Sequence, residues 1–252
     1  MIISVTSGKG GVGKTSLVVN MAKAVADLGG RVLVVDCDLG LANVDILLEL
    51  APSKNIQHVI MEGERLEEIV VSVPQGFDVL PASSGVAELT RLDNETKEIL
   101  LEHLQGLWGR YQWVFFDTGA GIGDTVLWFN GLAHRIVVII TPEPTSLTDA
   151  YALIKVLHRH QGKQDFWIII NEVNNRREGQ RLFEQIGRVV DRFLGVKVHL
   201  LGVIPQDRNF SQAIREQRLL IEGWPLSPAS QAVREIAEVV FGWRSRLGKG
   251  RG

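Results

Sequence analysis

Short apolar runs recur along the chain: "IISVTS" (2–7), "RVLVVDCD" (31–38), "FDVLPAS" (77–83), "WVFFDT" (113–118), "RIVVIIT" (135–141), "DFWIIINEV" (165–173) and "VHLLGVIP" (198–205). They are rich in Val and Ile and show no sustained polar alternation, which is the pattern of strands buried on both faces. Between them lie segments whose apolar positions recur at helical spacing: "TSLVVNMAKAVADLGG" (15–30), "ETKEILLEHLQGLWG" (95–109), "PTSLTDAYALIKVLHRH" (144–160) and "EGQRLFEQIGRVVDRFL" (178–194). The first ends at Gly29-Gly30, a natural helix stop. Thr145 or Ser146 is placed to cap the third. Alternation of this kind predicts an α/β fold, a single domain with a mostly parallel twisted sheet and helices on both faces. Ligands of such sheets bind beyond the carboxyl ends of the strands, so the segments that follow strands carry the interest: "SGKGG", "DCDLG" and "DTGAGIGD".

Composition narrows the picture. The chain has 252 residues, of which 45% are hydrophobic, enough for one sizeable core. Its 27 Lys and Arg nearly balance 29 Asp and Glu, leaving a net charge of −2 and no bulk preference for nucleic acid. The single cysteine, Cys37, excludes an internal disulfide framework and a multi-cysteine iron–sulfur or zinc site within one chain. The start of the chain lacks the pattern of a secretion signal, and the longest strongly apolar run, "RIVVIITP", is too short to span a bilayer. A cytoplasmic protein is expected. The histidines do not gather around any motif, and "HRH" at 158–160 reads as a solvated helix end where positive charge suits the dipole.

The sharpest chemical signal is "GKGGVGKT", Gly8 to Thr15, which satisfies G-x-x-x-x-G-K-[ST] between a predicted strand and a predicted helix. Glycines there let backbone N–H groups approach phosphate oxygens, and the helix start directs its positive dipole end at the anion. Lys14 is placed to bridge the terminal phosphates, and Thr15 to offer its hydroxyl to Mg²⁺. The loop carries a second lysine, Lys9, one residue after Gly8. Lys14 already serves the loop's own phosphates, so Lys9 projects outward, either to solvent or towards a facing subunit.

Acidic residues follow later strands. Asp36 and Asp38 stand at i and i+2, so both point the same way if the chain is still extended. Asp117 ends a strand just before Gly119 and Gly121, reads as a metal-binding aspartate acting mostly through water, and precedes a loop free to shift. Asp124 reads as a helix cap. Glu143 and Asp149 read from composition alone as a strand-end turn and a first-turn helix acid.

"KGGVGKTS" resembles the deviant Walker A motif of the MinD/ParA ATPase family, and the resemblance covers Ile2 to about Val240. It implies a P-loop ATPase that uses ATP and Mg²⁺, hydrolyses slowly and forms a homodimer when ATP-bound. By that resemblance Gly8, Lys9, Gly10, Gly11, Val12, Gly13, Lys14, Thr15 and Ser16 hold the nucleotide, and Lys9 contacts the partner's nucleotide across the dimer. Lys9, Lys14 and Asp38 act in catalysis, Asp38 by positioning water; Thr15, Asp36 and Asp117 serve the metal. Glu143 meets the ribose across the dimer, Asp149 supports Lys9 or the interface, and Asn171 with the P-x-D element Pro205–Asp207 reads adenine.

The strings "DCDLGLANVDILL", "DTGAGI", "TPEPTSLTDAYALIKVL" and "LGVIPQD" look like the FlhG/FleN branch of that family, MinD-like ATPases controlling flagellar number and placement. The implied partners are an FlhF-like GTPase, a flagellar switch component or a transcription regulator. The alternative is a cell-division MinD-type or partitioning ParA-type ATPase acting on DNA or a scaffold, with non-specific DNA disfavoured by the balanced charge. The glutamine-rich extension that many members carry ahead of the first strand is not expected to act here, because that strand begins at Ile2. The ATPase domain is read as residues 1–240 and the remainder, 241–252, as a basic tail. There Ile236, Val240, Trp243 and Leu247 at helical spacing, beside Arg244, Arg246, Lys249 and Arg251, suggest a short segment for an anionic membrane surface. A last helix packed on the domain is the stronger reading, since Gly242 weakens an isolated helix and the apolar face is small.

Overall fold

The computed structural model describes residues 1–39, 43–82 and 92–248, with side chains to residue 244. Residues 40–42 of the "LGLAN" stretch, and the side chains of Arg246, Leu247, Lys249 and Arg251, lie outside the described part.

The expected strands form one sheet: β1 (Ile2–Ser7), β2 (Val32–Cys37), β4 (Asp78–Leu80), β5 (Trp113–Ala120), β6 (Arg135–Ile140), β7 (Asp165–Val173) and β8 (Lys197–Pro205). A two-residue strand, β3 (Val71–Ser72), pairs antiparallel with β4 at one edge and is too short to leave a pattern in the sequence. The order is β3-β4-β2-β5-β1-β6-β7-β8, and every other pairing is parallel. Sequential neighbours Phe115 and Phe116 are both fully buried but belong to separate apolar clusters on opposite faces. That is why β5 reads as an unbroken apolar run: alternate side chains each meet a helical layer.

The helices are α1 (Lys14–Asp27), α2 (Val44–Leu47), α3 (Ile56–Glu62), α4 (Leu66–Ile69), α5 (Asn94–Trp108), α6 (Asp124–Leu132), α7 (Pro144–Gln161), α8 (Arg176–Leu194), α9 (Arg208–Arg215), α10 (Leu220–Gly223) and α11 (Pro228–Gly248). α1 stops at Leu28, and Gly29 follows at φ 89°. Two expected caps are placed differently. α7 begins at Glu143-Pro144 with no side-chain cap, because Ser146 Oγ instead accepts from the Thr141 amide. Asp124 is the first residue inside α6, after Gly123 at the cap, where its charge suits the helix dipole.

α11 lays its apolar stripe on the domain. Ile236, Val240 and Trp243 are buried at 1%, 0% and 2% exposure. The Trp243 ring centroid lies 4.7 Å from that of Trp167, and the Arg135 guanidinium sits 5.4 and 5.6 Å from the Trp167 and Trp243 centroids. These three side chains therefore face the core. Among the described residues, no helix is long and apolar enough to cross a membrane.

Candidate functional site

The carboxyl ends of β1, β2, β5, β7 and β8 surround a cleft of about 570 Å³. Its floor is the loop between β1 and α1. Gly11 and Gly13 there adopt φ 76° and 80°, a left-handed conformation that a side chain disfavours. Gly8 is needed for a different reason: a Cβ on it would lie 2.3 Å from the Asp149 backbone carbon, so α7 crosses directly over the loop. Gly13 caps α1 without a side chain, and the first turn holds no acidic residue. The helix thus leaves its first N–H groups and dipole for an anion. Ser7 Oγ donates to the Lys9 carbonyl at 2.8 Å, and Gly121 N donates to the Ser7 carbonyl at 2.8 Å, which ties the loop to the end of β5.

The two loop lysines occupy different surroundings. Lys14 Nζ lies 2.7 Å from Asp117 Oδ1, with side-chain exposures of 10% and 2%. Lys9 is 35% exposed, pairs with the Glu143 carboxylate at the rim and lies 3.4 Å from Thr145 Oγ1. Lys14 faces inward and Lys9 faces the mouth.

Asp36, in β2, and Asp38, just beyond its end, are expected on one side but take separate positions. β2 ends at Cys37, and Asp38, just beyond it, lines the cleft. Asp36 is 1% exposed and does not appear on the cleft wall. Its Oδ1 accepts from the Asp38 amide at 3.0 Å, and its Oδ2 from the Asn43 and Val44 amides at 3.1 and 3.3 Å. Asp36 thus pins both ends of the segment carrying Asp38. Burial, then the charge of Asp117, raises its carboxyl well above the usual range; the three amides oppose that rise. Two buried carboxylates and one lysine make a site that favours added positive charge. Among the described residues, no cluster of three or more acidic, His or Cys side chains is poised for a metal. Mg²⁺ binds through one or two carboxylates, phosphates and waters rather than a protein cage. Thr15, at the cleft wall, and Asp117 are the donors such an ion would use.

Asn171 lines the far wall, but its Nδ2 donates to the Val12 carbonyl at 2.9 Å, so it also braces the loop. Pro205 and Asp207 lie beside it, and Asp207 caps α9 by accepting from the Asn209 amide at 2.9 Å. Asp149 contributes through its backbone at Gly8. Glu172, Phe210 and Gln217 are among the cleft residues that the sequence does not single out. Gln217 Nε2 donates to the Ile46 carbonyl at 2.5 Å, linking the segment after α9 to α2 across the mouth. No sequence signal marks Gln217; Glu172 is visible only as an acid directly behind Asn171.

Residues 3–221 match the CobQ/CobB/MinD/ParA nucleotide binding domain. The chain is 41% identical over 242 residues to the antiactivator FleN of Pseudomonas aeruginosa, covering 96% of this chain and 86% of FleN. It is 32% identical over 236 residues to the flagellum site-determining protein YlxH of Helicobacter pylori, covering 93% of this chain and 80% of YlxH. The fold superposes on the septum site-determining protein MinD of Pyrococcus horikoshii, complexed with Mg-ADP, with a TM-score of 0.79 at 25% identity over 95% of both chains.

Proposed function

The chain belongs to the CobQ/CobB/MinD/ParA nucleotide-binding family, and from that premise we propose that it is an ATP-driven dimerisation switch that regulates flagellar number and placement. The observation that carries the reading is the division of labour between Lys14 and Lys9, one 10% and the other 35% exposed. A loop that only held a nucleotide needs the first alone.

Lys14 pairs with Asp117 in the structure. On ATP binding Lys14 turns to the phosphates, while the loop amides and the α1 dipole hold them. Thr15 and Asp117 would hold Mg²⁺, which would neutralise charge on the phosphates. Lys9 leaves Glu143 and reaches the triphosphate of a facing copy. Asp38, held by the Asp36 anchor, orients the attacking water. After hydrolysis the cation loses the charge that drew it across, and the copies separate.

The magnitudes are adequate. Moving a two-state equilibrium from mostly one state to mostly the other takes about 5.5 kcal/mol. A hydrogen bond to a charged group contributes about 1.5–3 kcal/mol, and a two-fold dimer makes each contact twice.

The flagellar role is supported by similarity to YlxH, a flagellum site-determining protein, and to the antiactivator FleN. The partner is then a component of flagellar regulation: an FlhF-like GTPase, a switch component or a transcription regulator. The test has two arms. Light scattering should give twice the chain mass with ATP and the chain mass with ADP. Deleting the gene should change the number or position of flagella, and Lys14→Ala should fail to restore it. A chain that stays monomeric with ATP contradicts the switch; unchanged flagella contradict the role.

A further inference from the structure

Along β7 and β8, Ile170 pairs with Val203 and Val173 with Pro205. Asn171 and Glu172 therefore oppose Ile204 alone, a bulge of one extra residue in β7. Bulges are rare in parallel pairs; they re-aim side chains and gather next to active sites. Glu172 takes φ 60°, one of three non-glycine residues at positive φ among those described. That conformation costs an L-residue with a long side chain and is retained where the surroundings enforce it. The consequence is specific. Successive side chains of a regular strand point to opposite faces, yet Asn171 and Glu172 both line the cleft.

Glu172 cannot serve the phosphates, because an ionised carboxylate only accepts hydrogen bonds and would repel them. Its neighbours place it along the cleft. Burial, and then the charge of Glu143, the partner of Lys9 at the phosphate loop, raises the Glu172 carboxyl above its usual range. The next residue, Val173, pairs with Pro205, at the wall formed by Pro205 and Asp207. Between a phosphate cradle and a base wall lies the sugar of a nucleotide.

Building on the ATP-binding reading above, we infer that Glu172 accepts a hydrogen bond from a ribose hydroxyl and selects ribonucleotides. The acceptor-only carboxylate matches the donor hydroxyls of the sugar, and the bulge is the device that brings it to the cleft wall.

The test compares the affinities of ATP, 2′-deoxyATP and 3′-deoxyATP for the full chain, measured by calorimetry. The wild type should bind at least one deoxy analogue about tenfold more weakly than ATP. In Glu172→Gly, which removes the positive-φ strain and so keeps the fold, the three affinities should agree within about threefold. Glu172→Gln, of the same shape, should fall between. Equal affinities in the wild type, or a penalty that survives in Glu172→Gly, overturn the inference. So does a change confined to the ratio of ATP to GTP, which would place Glu172 at the base. Lys14→Ala separates the two readings: ATP binding lost in that variant with an unchanged deoxy ratio in Glu172→Gly sinks the sugar contact alone, whereas no ATP binding by the wild type sinks both.

Discussion

Lys9 and Glu143 form an ion pair within one chain, at the mouth of the cleft, with side chains 35% and 58% exposed. A pair this open to solvent is worth about 0–1 kcal/mol. It keeps Lys9 at the rim without holding it there. Replacing Lys9 by Ala should accordingly change the stability of the nucleotide-free chain by no more than about 1 kcal/mol in urea unfolding. A larger loss would make Lys9 a structural residue.

Lys14 is the opposite case. Its partner Asp117 is 1% exposed, so Lys14→Ala strands a buried carboxylate. The variant should lose about 3–5 kcal/mol of stability together with measurable nucleotide binding. Urea unfolding and calorimetry read the two effects separately, and a variant that still binds ATP tightly would move the phosphate contact elsewhere.

Gly8→Ala tests the seat of α7 on the loop. The added methyl would lie 2.3 Å from backbone at Asp149, which cannot swing aside as a side chain can. The helix or the loop has to move, and nucleotide affinity should fall at least about tenfold with a lower melting temperature. Unchanged binding would show that the seat of α7 on Gly8 does not shape the nucleotide site.

A pH effect is expected far from the cleft. His134 Nδ1 accepts from the Ile2 amide at 3.0 Å, and burial first, then nearby positive charge, lowers its pKa below 6.5. The folded chain prefers the neutral ring. Its contribution is therefore present above the unfolded value and is lost as pH falls through the folded one. Stability should drop between about pH 7 and 5, and His134→Asn, which keeps an acceptor but does not titrate, should flatten that slope. An identical slope in the variant would assign the drop to other groups.

Much of this molecule was legible before folding. β1, the loop and α1 are readable because three local signals coincide: an apolar run, a glycine pattern and a helical period. The inward stripe of α11 was readable as a stripe, but the tryptophan and arginine partners that receive it come from β6 and β7. Asp36 and Asp38 share a spacing that predicts a shared face, and only the end of β2 at Cys37 separates anchor from cleft residue. The placement of Glu172 on the cleft wall was not legible, for a deeper reason. A bulge is a relation between two strands, set by the register of β7 on β8, and no local pattern encodes it.

The most direct measurement is the mass, by light scattering with ATP, of Asp38→Ala and of Asp38→Ala combined with Lys9→Ala. With hydrolysis blocked, the single variant should stay locked as a dimer, while the double variant should bind ATP and remain a monomer. A double variant that dimerises as fully as the single one would contradict a cation exchanged between copies.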